Sequence, residues 1–304
     1  MMDIVTLGEC MALLYPSEPI PLESARQLSL DIAGAESNIS IALSRLGHRV
    51  RFISRVGDDP FGRRIRAILQ QEGVDTTYLA MDSETPTGVF FREWLPDGMR
   101  RVYYYRAGSA ASRLAPDDLP EEAFASARVV HLTGITPALS ESCAAAVVRA
   151  IDLARAVGAV VSFDPNYRSR LWAAAGAQAV LLPFMRQADI LLMGDEDALA
   201  LFGEGDEETY LRHGAELGAS VVVLKRGERG AMALANGKVI TVPAYPVEEV
   251  ADPVGAGDGF DAGFLSGWLK NYDLEAALRL GARMGASAVT TLSDYAGYLR
   301  QAEL

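Results

Sequence analysis

Short apolar runs alternate with longer amphipathic segments along most of the chain. The runs are rich in Val, Ile and Leu, as strands covered on both faces should be: "DIVTLGE", "HRVRFISRVG", "ARVVHLTG", "AVVSFDPN", "ADILLMG" and "ASVVVLKRG". Between them, stretches such as "SNISIALSRLG" and "PFGRRIRAILQQEG" have apolar residues at helical spacing. This alternation predicts an α/β fold with a doubly wound, mainly parallel sheet flanked by helices, as a single domain over residues 1–304.

Residues 87–108 break this rhythm. Two β-rich runs surround Pro96-Asp97-Gly98, a combination with the residue chemistry of a hairpin turn. The irregular segment after the first predicted strand could supply further strands. We therefore expect a small β-sheet lid formed by about 11–32 and 86–107.

Side-chain alternation along the second run predicts two different faces. Tyr104 and Arg106 share one face, and Tyr103 and Tyr105 share the other. A hairpin with aromatic residues on both faces is not stable alone in water, so we expect one face to cover a site. The other face would contact either a partner subunit or the lid's own strands. The first alternative predicts a homo-oligomer assembled through the lid.

Charge and composition exclude several classes of partner. The net charge is −12 and the pI is near 4.8, so we expect neither nucleic acid nor anionic membrane as a partner, and any phosphate needs a local site. Cys10 and Cys143 form neither a disulfide framework nor a metal-ligand pattern. The start "MMDIVTLGEC" lacks the basic region of a signal peptide. These features predict a cytoplasmic protein.

The most unusual stretch is "ADPVGAGDGFDAGFLSGW", which carries five glycines beside a helical apolar stripe. A glycine inside a helix costs about 1 kcal/mol relative to alanine, so packing alone does not explain them. The stripe predicts a helix that begins near Gly257, with Gly255-Ala256-Gly257 as the turn before it. Free N–H groups and the positive end of the helix dipole gather at such a turn and can bind an anion.

Asp258 lies in the first turn of this helix. One interpretation is an acidic residue that stabilises the helix start by ~0.3–1 kcal/mol. The other is a carboxylate beside an anion site, which accepts a proton from a hydroxyl that attacks a phosphoryl group. The density of glycines favours the second interpretation. A nicotinamide-dependent dehydrogenase does not fit, because "GECMALLYP" follows the first strand in place of a G-x-G-x-x-G turn.

Three motifs resemble signatures of the ribokinase-like (PfkB) carbohydrate kinases, and they occur in that family's order over nearly the whole chain. They are "AGAESNISIALSRLG" followed by "ISRVGDDPFG", then "VVVLKRGERGA", then "DPVGAGDGFDAGF". Within the family, "YYYRAGSAAS", "HLTGITPALS" and "DPNYRSRLW" most resemble the 2-keto-3-deoxygluconate kinases. The resemblance implies the ribokinase fold, ATP and Mg²⁺ as cofactors, and a sugar acid as the substrate.

The resemblance also implies residue roles. Asp258 would be the catalytic base, and the backbone of Gly255, Ala256 and Gly257 would stabilise the transferred phosphoryl group. Nucleotide contacts would come from Asp164, Asn166, Arg168, Lys225, Gly227, Gly230, Gly255 and Gly257. Sugar contacts would come from Gly34, Asn38, Phe90, Tyr104, Arg106, Arg168, Asp258 and Asp294.

Several of these positions also have a purely structural interpretation. The lysine and glycines of "KRGERG" could be a strand end and a turn, and Arg168 a surface residue after an Asp-Pro turn. Ser37 and Asn38 both suit a helix cap. Arg106 could be an exposed residue on a strand edge, and Asp294 a solvated loop residue.

The sequence departs from the family pattern at three points. Ala33-Gly34 replaces a glycine pair, and Phe90 stands where related acid kinases often have a tyrosine. The family's Asn-x-x-Glu, which helps to hold Mg²⁺ through water, appears as "GDED". Only its last position, Asp197, keeps an acid, so Asp197 is the candidate for the metal shell.

Substrate charge gives one further expectation. A sugar acid carries a carboxylate, and an unpaired buried charge is costly. Arginine can hold a carboxylate through two charge-assisted bonds, so Arg106 and Arg168 are the candidates. The resemblance thus implies ATP-dependent phosphorylation of 2-keto-3-deoxygluconate to its 6-phosphate by direct in-line transfer. The alternatives are a kinase for a neutral sugar such as fructose or ribose, and a catalytically silent sugar-binding regulator.

Overall fold

The computed structural model describes residues 2–95, 99–172 and 174–304. Within them the strands are β1 (Ile4–Leu7), β2 (Met11–Tyr15), β3 (Ser29–Ala33), β4 (Val50–Gly57), β5 (Leu79–Asp82), β6 (Val89–Trp94), β7 (Arg100–Tyr105), β8 (Val129–Thr133), β9 (Val160–Asp164), β10 (Ile190–Gly194), β11 (Val221–Lys225), β12 (Ala231–Ala235) and β13 (Lys238–Val242). The helices are α1 (Ala35–Arg45), α2 (Pro60–Gln71), α3 (Glu121–Phe124), α4 (Glu141–Ala156), α5 (Ala174–Met185), α6 (Asp195–Phe202), α7 (Glu207–Glu216), α8 (Ala256–Leu269) and α9 (Leu274–Ala288).

The large sheet has the strand order β13-β12-β11-β10-β9-β8-β1-β4-β5. Its strands pair in parallel from β5 through to β11, and β12 and β13 add antiparallel at one edge. From β1 the chain builds outward through β4 to β5, then returns to β8 on the other side of β1. This confirms the predicted doubly wound, mainly parallel sheet.

Helices cover both faces of the large sheet, which explains its apolar strands. Val130 of β8 belongs to one core together with Val147 of α4. The neighbouring Val129 points to the opposite core, where it joins Phe264 of α8. The predicted alternation of strands and helices therefore buries two apolar layers, one on each face. Within the described ranges, no helix combines the length and apolar character needed to span a bilayer.

A separate small sheet has the order β3-β2-β6-β7. It uses residues from both segments predicted for the lid, and the predicted turn Pro96-Asp97-Gly98 lies outside the described residues. β6 and β7 pair antiparallel with Phe90 opposite Tyr104, whose rings stack with centroids 5.5 Å apart. On the other face, Tyr105 makes an edge contact with the ring of Phe91.

Candidate active site

The parallel strands of the large sheet end at one edge, where polar residues follow them. Glu9 comes shortly after β1, Thr133 ends β8, Asp164 ends β9 and Lys225 ends β11. In open α/β sheets, ligands bind outside the carboxyl ends of the strands, where the direction of winding reverses. Here that point lies between β1 and β8, so the fold itself selects this edge as the candidate site.

The glycine-rich turn enters α8 at this edge. Gly255 has a φ of 83°, and a Cβ on it would lie 2.3 Å from the carbonyl oxygen of Asp294. Only glycine fits both the left-handed backbone and the close approach. α8 begins at Ala256, one residue before the predicted start. Because the first N–H groups of a helix have no intrahelical partner, the turn around the exposed Gly257 offers donors to an anion.

Asp258 lies in this first turn and is half-buried. Its Oδ2 accepts a hydrogen bond of 2.8 Å from Nδ2 of Asn38. Burial raises the pKa of the Asp258 carboxyl to about 6, while the bond from Asn38 and the positive charge of Arg168 act in the opposite direction. The result is a carboxylate that is largely ionised at neutral pH and more basic than an ordinary aspartate.

The start of α1 supplies the partner of Asp258. A Cβ on Gly34 would lie 2.1 Å from the carbonyl oxygen of Glu9, so a glycine is needed here for close packing. Gly34, not Asn38, occupies the capping position, and the Ser37 hydroxyl donates back to the Gly34 carbonyl. The interpretation of Ser37 and Asn38 as helix caps is therefore wrong. Asn38 lies inside the helix, and its Oδ1 is buried without a hydrogen-bond partner.

Lys225 is the centre of a closed ionic cluster behind the glycine turn. Its ammonium lies 2.9 Å from Asp164 Oδ2 and 3.0 Å from Asp261 Oδ1. Burial raises the pKa of Asp261 well above its ordinary value, and a hydrogen bond to Asp164 also favours the protonated form. The same Nζ lies 3.8 Å from where a Cβ on Gly257 would be. Lys225 therefore places positive charge directly beneath the turn.

The loop after β11 contains the other predicted nucleotide contacts. Gly227 has a φ of 55° and is exposed. Gly230 has a φ of 83°, and a Cβ there would lie 2.1 Å from the carbonyl oxygen of Val242. These two glycines shape an open loop at the same edge as the glycine-rich turn.

Asp197 and Asn166 lie next to the Lys225 cluster. Both carboxylate oxygens of Asp197 accept backbone hydrogen bonds, from Gly194 N at 2.6 Å and from Tyr167 N at 2.7 Å. Burial and the charge of Asp164 raise the pKa of Asp197 to about 6. Asn166 has a φ of 41°, and its Oδ1 is buried without a hydrogen-bond partner. No group of three His, Cys, Asp or Glu in the described residues could hold a metal ion by itself.

The small sheet brings Phe90, Tyr104 and Arg106 to one face. Arg106 stacks over the Tyr104 ring at 5.5 Å and forms an ion pair with Glu9. The side chain of Arg106 is only 11% exposed, so its interpretation as an exposed strand-edge residue is wrong. Glu9 also accepts a 2.6 Å hydrogen bond from the Ser109 hydroxyl. Sequence reasoning missed Glu9, although its place directly after a strand of the large sheet could have indicated it.

Asp294 and Arg168 occupy different environments. Asp294 is buried and pairs with Arg92 at 2.7 Å, so it is not a solvated loop residue. Burial raises the pKa of Asp294 to about 6, against the opposing charge of Arg92. Arg168 is exposed, and it lines an open groove together with Tyr167 and Glu196. Arg168 therefore remains available to a ligand, whereas the charge of Asp294 is already compensated.

A buried glutamate at the start of α1 was also missed. Glu36 is fully buried, and its Oε1 accepts hydrogen bonds from the hydroxyls of Thr133 at 2.6 Å and Thr136 at 2.7 Å. Its carboxyl carbon lies 2.3 Å from where a Cβ on Gly8 would be. Burial raises the pKa of Glu36, with the two threonine bonds opposing. This contact joins the ends of β1 and β8 at the reversal point of the sheet.

Comparison with known proteins agrees with the order of motifs along the chain. A model of the pfkB family carbohydrate kinases matches residues 1–300. A 2-dehydro-3-deoxygluconokinase from Thermoproteus tenax is 38% identical over 97% of this chain and 90% of its own length. One from Bacillus subtilis is 35% identical over 97% and 92%, and a 2-dehydro-3-deoxygalactonokinase from Haloferax volcanii is 34% identical over 97% and 93%.

Solved structures share the fold. A PfkB protein from a Polaromonas species has a TM-score of 0.91 and 38% identity, covering 100% of this chain and 99% of its own. A putative ribokinase II from Escherichia coli, solved in complex with ATP and Mg²⁺, has a TM-score of 0.93 and 26% identity over 100% and 97%. With the full-length family match and these relatives, the chain belongs to the PfkB family of carbohydrate kinases.

Proposed function

We propose that the protein uses ATP and Mg²⁺ to phosphorylate the 6-hydroxyl of 2-keto-3-deoxygluconate, which is the sugar acid of the 2-dehydro-3-deoxygluconokinases. Two relatives with that name, at 38% and 35% identity over most of both chains, support the substrate. The neighbour solved with ATP and Mg²⁺ supports the cofactors. We also propose a single catalytic domain that acts in the cytoplasm, where ATP is supplied.

The observation that carries the proposal is the environment of Asp258. Its carboxylate lies in the first turn of α8, accepts a bond from Asn38, and has a pKa raised to about 6 by burial. A general base works best with a pKa near the operating pH. The exposed Gly257 beside it leaves room for a reacting group.

In this proposal the chain positions the reactants and stabilises charge, with no covalent intermediate on the protein. Asp258 accepts the proton of the attacking hydroxyl, and Asn38 holds the carboxylate in place. The amides of the turn from Gly255 to Gly257 donate to the transferred phosphoryl group, where the helix dipole is positive. The buried ammonium of Lys225 adds positive charge from below.

The residues present fit a magnesium ion that is held mainly by water and phosphate. Mg²⁺ prefers oxygen ligands and usually takes only one or two carboxylates from the protein. Asp164 and Asp197 would face its hydration shell, and the buried Oδ1 of Asn166, which lacks a hydrogen-bond partner, offers a further oxygen. When bound, the ion neutralises charge on the ATP phosphates.

The acid group of the sugar would be held from the small sheet. Arg106 already has one carboxylate partner in Glu9, yet its Nε is buried without a hydrogen-bond partner. Arg168 is exposed and its charge acts on Asp258. We propose that these two arginines bind the substrate carboxylate, with Tyr104 as a nearby hydroxyl donor, Phe90 as an apolar wall and Gly34 at the sugar's edge. Asp294 would also contact the substrate.

A screen for ADP release tests the proposal. The purified protein is assayed with ATP, Mg²⁺ and a panel of acidic and neutral sugars, including both the gluconate- and galactonate-derived acids. We expect turnover of a 2-keto-3-deoxy acid with a kcat/KM well above that of fructose or ribose. Preference for a neutral sugar would overturn the acid assignment, and binding of sugars without any ADP release would identify a silent sugar-binding regulator.

We also propose a homo-oligomer assembled through the outer face of the small sheet. Tyr105 is 69% exposed and Tyr103 is 41% exposed on β7, at the edge of that sheet. Aromatic residues concentrated on one edge are typical of protein interfaces. Replacing Tyr105 with Glu should therefore lower the mass measured by light scattering, whereas Tyr272→Glu, a matched change at an exposed tyrosine after α8, should not. An unchanged mass for the first variant would contradict this assembly.

A further inference from the structure

Arg92 is a buried cation of the small sheet that lies close to the glycine-rich turn. Arg92, on β6, is 4% exposed, and strand alternation places it on the same face as Phe90. Its Nη1 lies 2.7 Å from Asp294 Oδ1, and its Nε lies 3.4 Å from Asp252 Oδ2. Its Nη2 donates to the carbonyl of Leu292. One guanidinium thus joins two segments that are far apart in the chain.

Both segments form the walls of the glycine-rich turn. Asp252 stands just before the turn, and its Oδ1 accepts a 3.1 Å bond from Val254 N. Asp294 stands on the opposite wall, with its carbonyl oxygen 2.3 Å from where a Cβ on Gly255 would be. The turn has little freedom to move unless one of these walls moves. Arg92 fixes the distance between the walls because it binds both.

The charges in this cluster balance. The two acids, Asp252 and Asp294, have side chains that are 4% and 5% exposed, and they face Arg92 and the partly buried Arg100. Arg100 also donates to the Ala251 carbonyl. Removing Arg92 would leave two buried carboxylates short of a cation, a state that proteins relieve by rearranging or by taking up protons. Without Arg92 the guanidinium that binds both acids is lost, so we expect the walls of the turn to separate.

We infer that Arg92 is a positioning residue that couples the sugar-covering sheet to the phosphoryl-transfer turn. Through Arg92, the position of β6 on the substrate side sets the position of Gly255 and, one turn later, of Asp258. This inference rests on the proposed function, because it assigns the turn a catalytic role. Sequence reasoning missed Arg92, although alternation from Phe90 would have placed it on the inner face.

The test compares Arg92→Ala and Arg92→Lys with Arg101→Ala, a matched change at a half-exposed arginine on β7. We expect Arg92→Ala to lower kcat by about tenfold or more, because the catalytic turn is then misplaced, while KM for ATP changes much less. A tenfold loss of kcat corresponds to ~1.4 kcal/mol of activation free energy. Lysine should recover part of the activity, because it can pair with one acid but not bridge both. Arg101→Ala should have the same kcat and the same KM for ATP as the wild-type protein.

Chemical rescue separates positioning from general support of the fold. Guanidinium chloride at low millimolar concentration should restore kcat of Arg92→Ala, whereas potassium chloride at the same ionic strength should not. A kcat of Arg92→Ala within about twofold of the unchanged protein would overturn the inference. A loss that guanidinium does not restore, with Arg92→Lys as inactive as Arg92→Ala, would also overturn it, because it would indicate only structural damage.

A readout without activity keeps this test independent of the proposed function. Amide hydrogen exchange in residues 251–258 should accelerate in Arg92→Ala and slow again with guanidinium, while exchange in β8 stays unchanged. If the unchanged protein phosphorylates no sugar, the proposed function fails, and the exchange result still decides whether Arg92 holds the turn. Unaltered exchange in 251–258 would overturn the coupling itself.

Discussion

Two aspartates one helical turn apart in α8 have different environments. Asp258 is half-buried and accepts one side-chain hydrogen bond, from Asn38. Asp261 is 1% exposed and lies against Lys225 and Asp164. Burial raises the pKa of both carboxyls, to about 6 for Asp258 and well above the ordinary value for Asp261. A pKa near 6 suits Asp258 to the proton transfer that we propose, whereas Lys225 and Asp164 enclose Asp261 in a closed cluster.

The comparison shows that residue type and spacing do not assign a catalytic role by themselves. An open group keeps at least one hydrogen-bonding atom without a protein partner, whereas a closed group has protein partners at all of them. The same contrast separates the cations, because Lys225 contacts two carboxylates while Arg106 keeps a buried Nε without a partner. The following experiments address this division between open and closed charges.

The largest effect is expected at the open acid. Asp258→Asn keeps shape and polarity but cannot accept the proton, so kcat should fall by about 10²–10⁴-fold with little change in ATP affinity. Steady-state kinetics and nucleotide titration measure the two quantities. A variant that keeps more than about a tenth of the kcat would show that Asp258 only stabilises the helix start.

The open cation should affect substrate binding. Arg106→Ala should raise KM for the sugar acid by about 10–100-fold, because hydrogen bonds to a charged group contribute roughly 1.5–3 kcal/mol. Residual turnover of a neutral sugar serves as the internal control and should hardly change. Equal losses on acidic and neutral sugars would mean that the Arg106–Glu9 pair only holds the small sheet in place.

The pH profile should report the open acid. Because the base must be ionised, kcat/KM should fall by about tenfold per pH unit below the Asp258 pKa of about 6. Asn38→Ala removes a bond that lowers this pKa, so the acid limb should move to higher pH. A limb that stays in place would assign it to another carboxyl with a similar pKa, such as Asp197 or Asp294.

The smallest effect is expected at the closed acid. Asp261→Asn should change kcat by less than about threefold, since an amide can still donate to Asp164 and accept from Lys225. The same substitution would then give opposite results at two positions in one helix. A loss comparable to that of Asp258→Asn would show that Asp261 carries a necessary negative charge.

Local patterns predicted the large sheet because each strand and each helix is encoded in its own stretch, and alternation of the two indicates a mainly parallel sheet. Each predicted strand was identified from its own apolar run, and each predicted helix from its own apolar stripe. The start of α8 was predicted from the Gly255–Asp258 segment and differs from the observed start by one residue. The small sheet was also visible, since two β-rich runs around a turn signal stand apart from the α/β rhythm.

The partners of the charged residues could not be predicted in the same way. Arg92 binds Asp252 and Asp294, and Arg106 binds Glu9, across long separations in the chain. A single sequence does not state which buried acid meets which arginine, because that depends on the docking of one sheet on the other. The alternative interpretations, an exposed Arg106 and a solvated Asp294, were wrong for this reason.

The packing of the Glu36 carboxyl over Gly8 has a consequence for how such a protein can change over time. A side chain at position 8 would need the space that the Glu36 carboxyl fills. Glu36 in turn receives its hydrogen bonds from Thr133, which ends β8, and from Thr136 in the segment that follows. A larger residue can therefore replace Gly8 only after Glu36 has been replaced by a shorter residue. We expect positions 8 and 36 to change together during evolution.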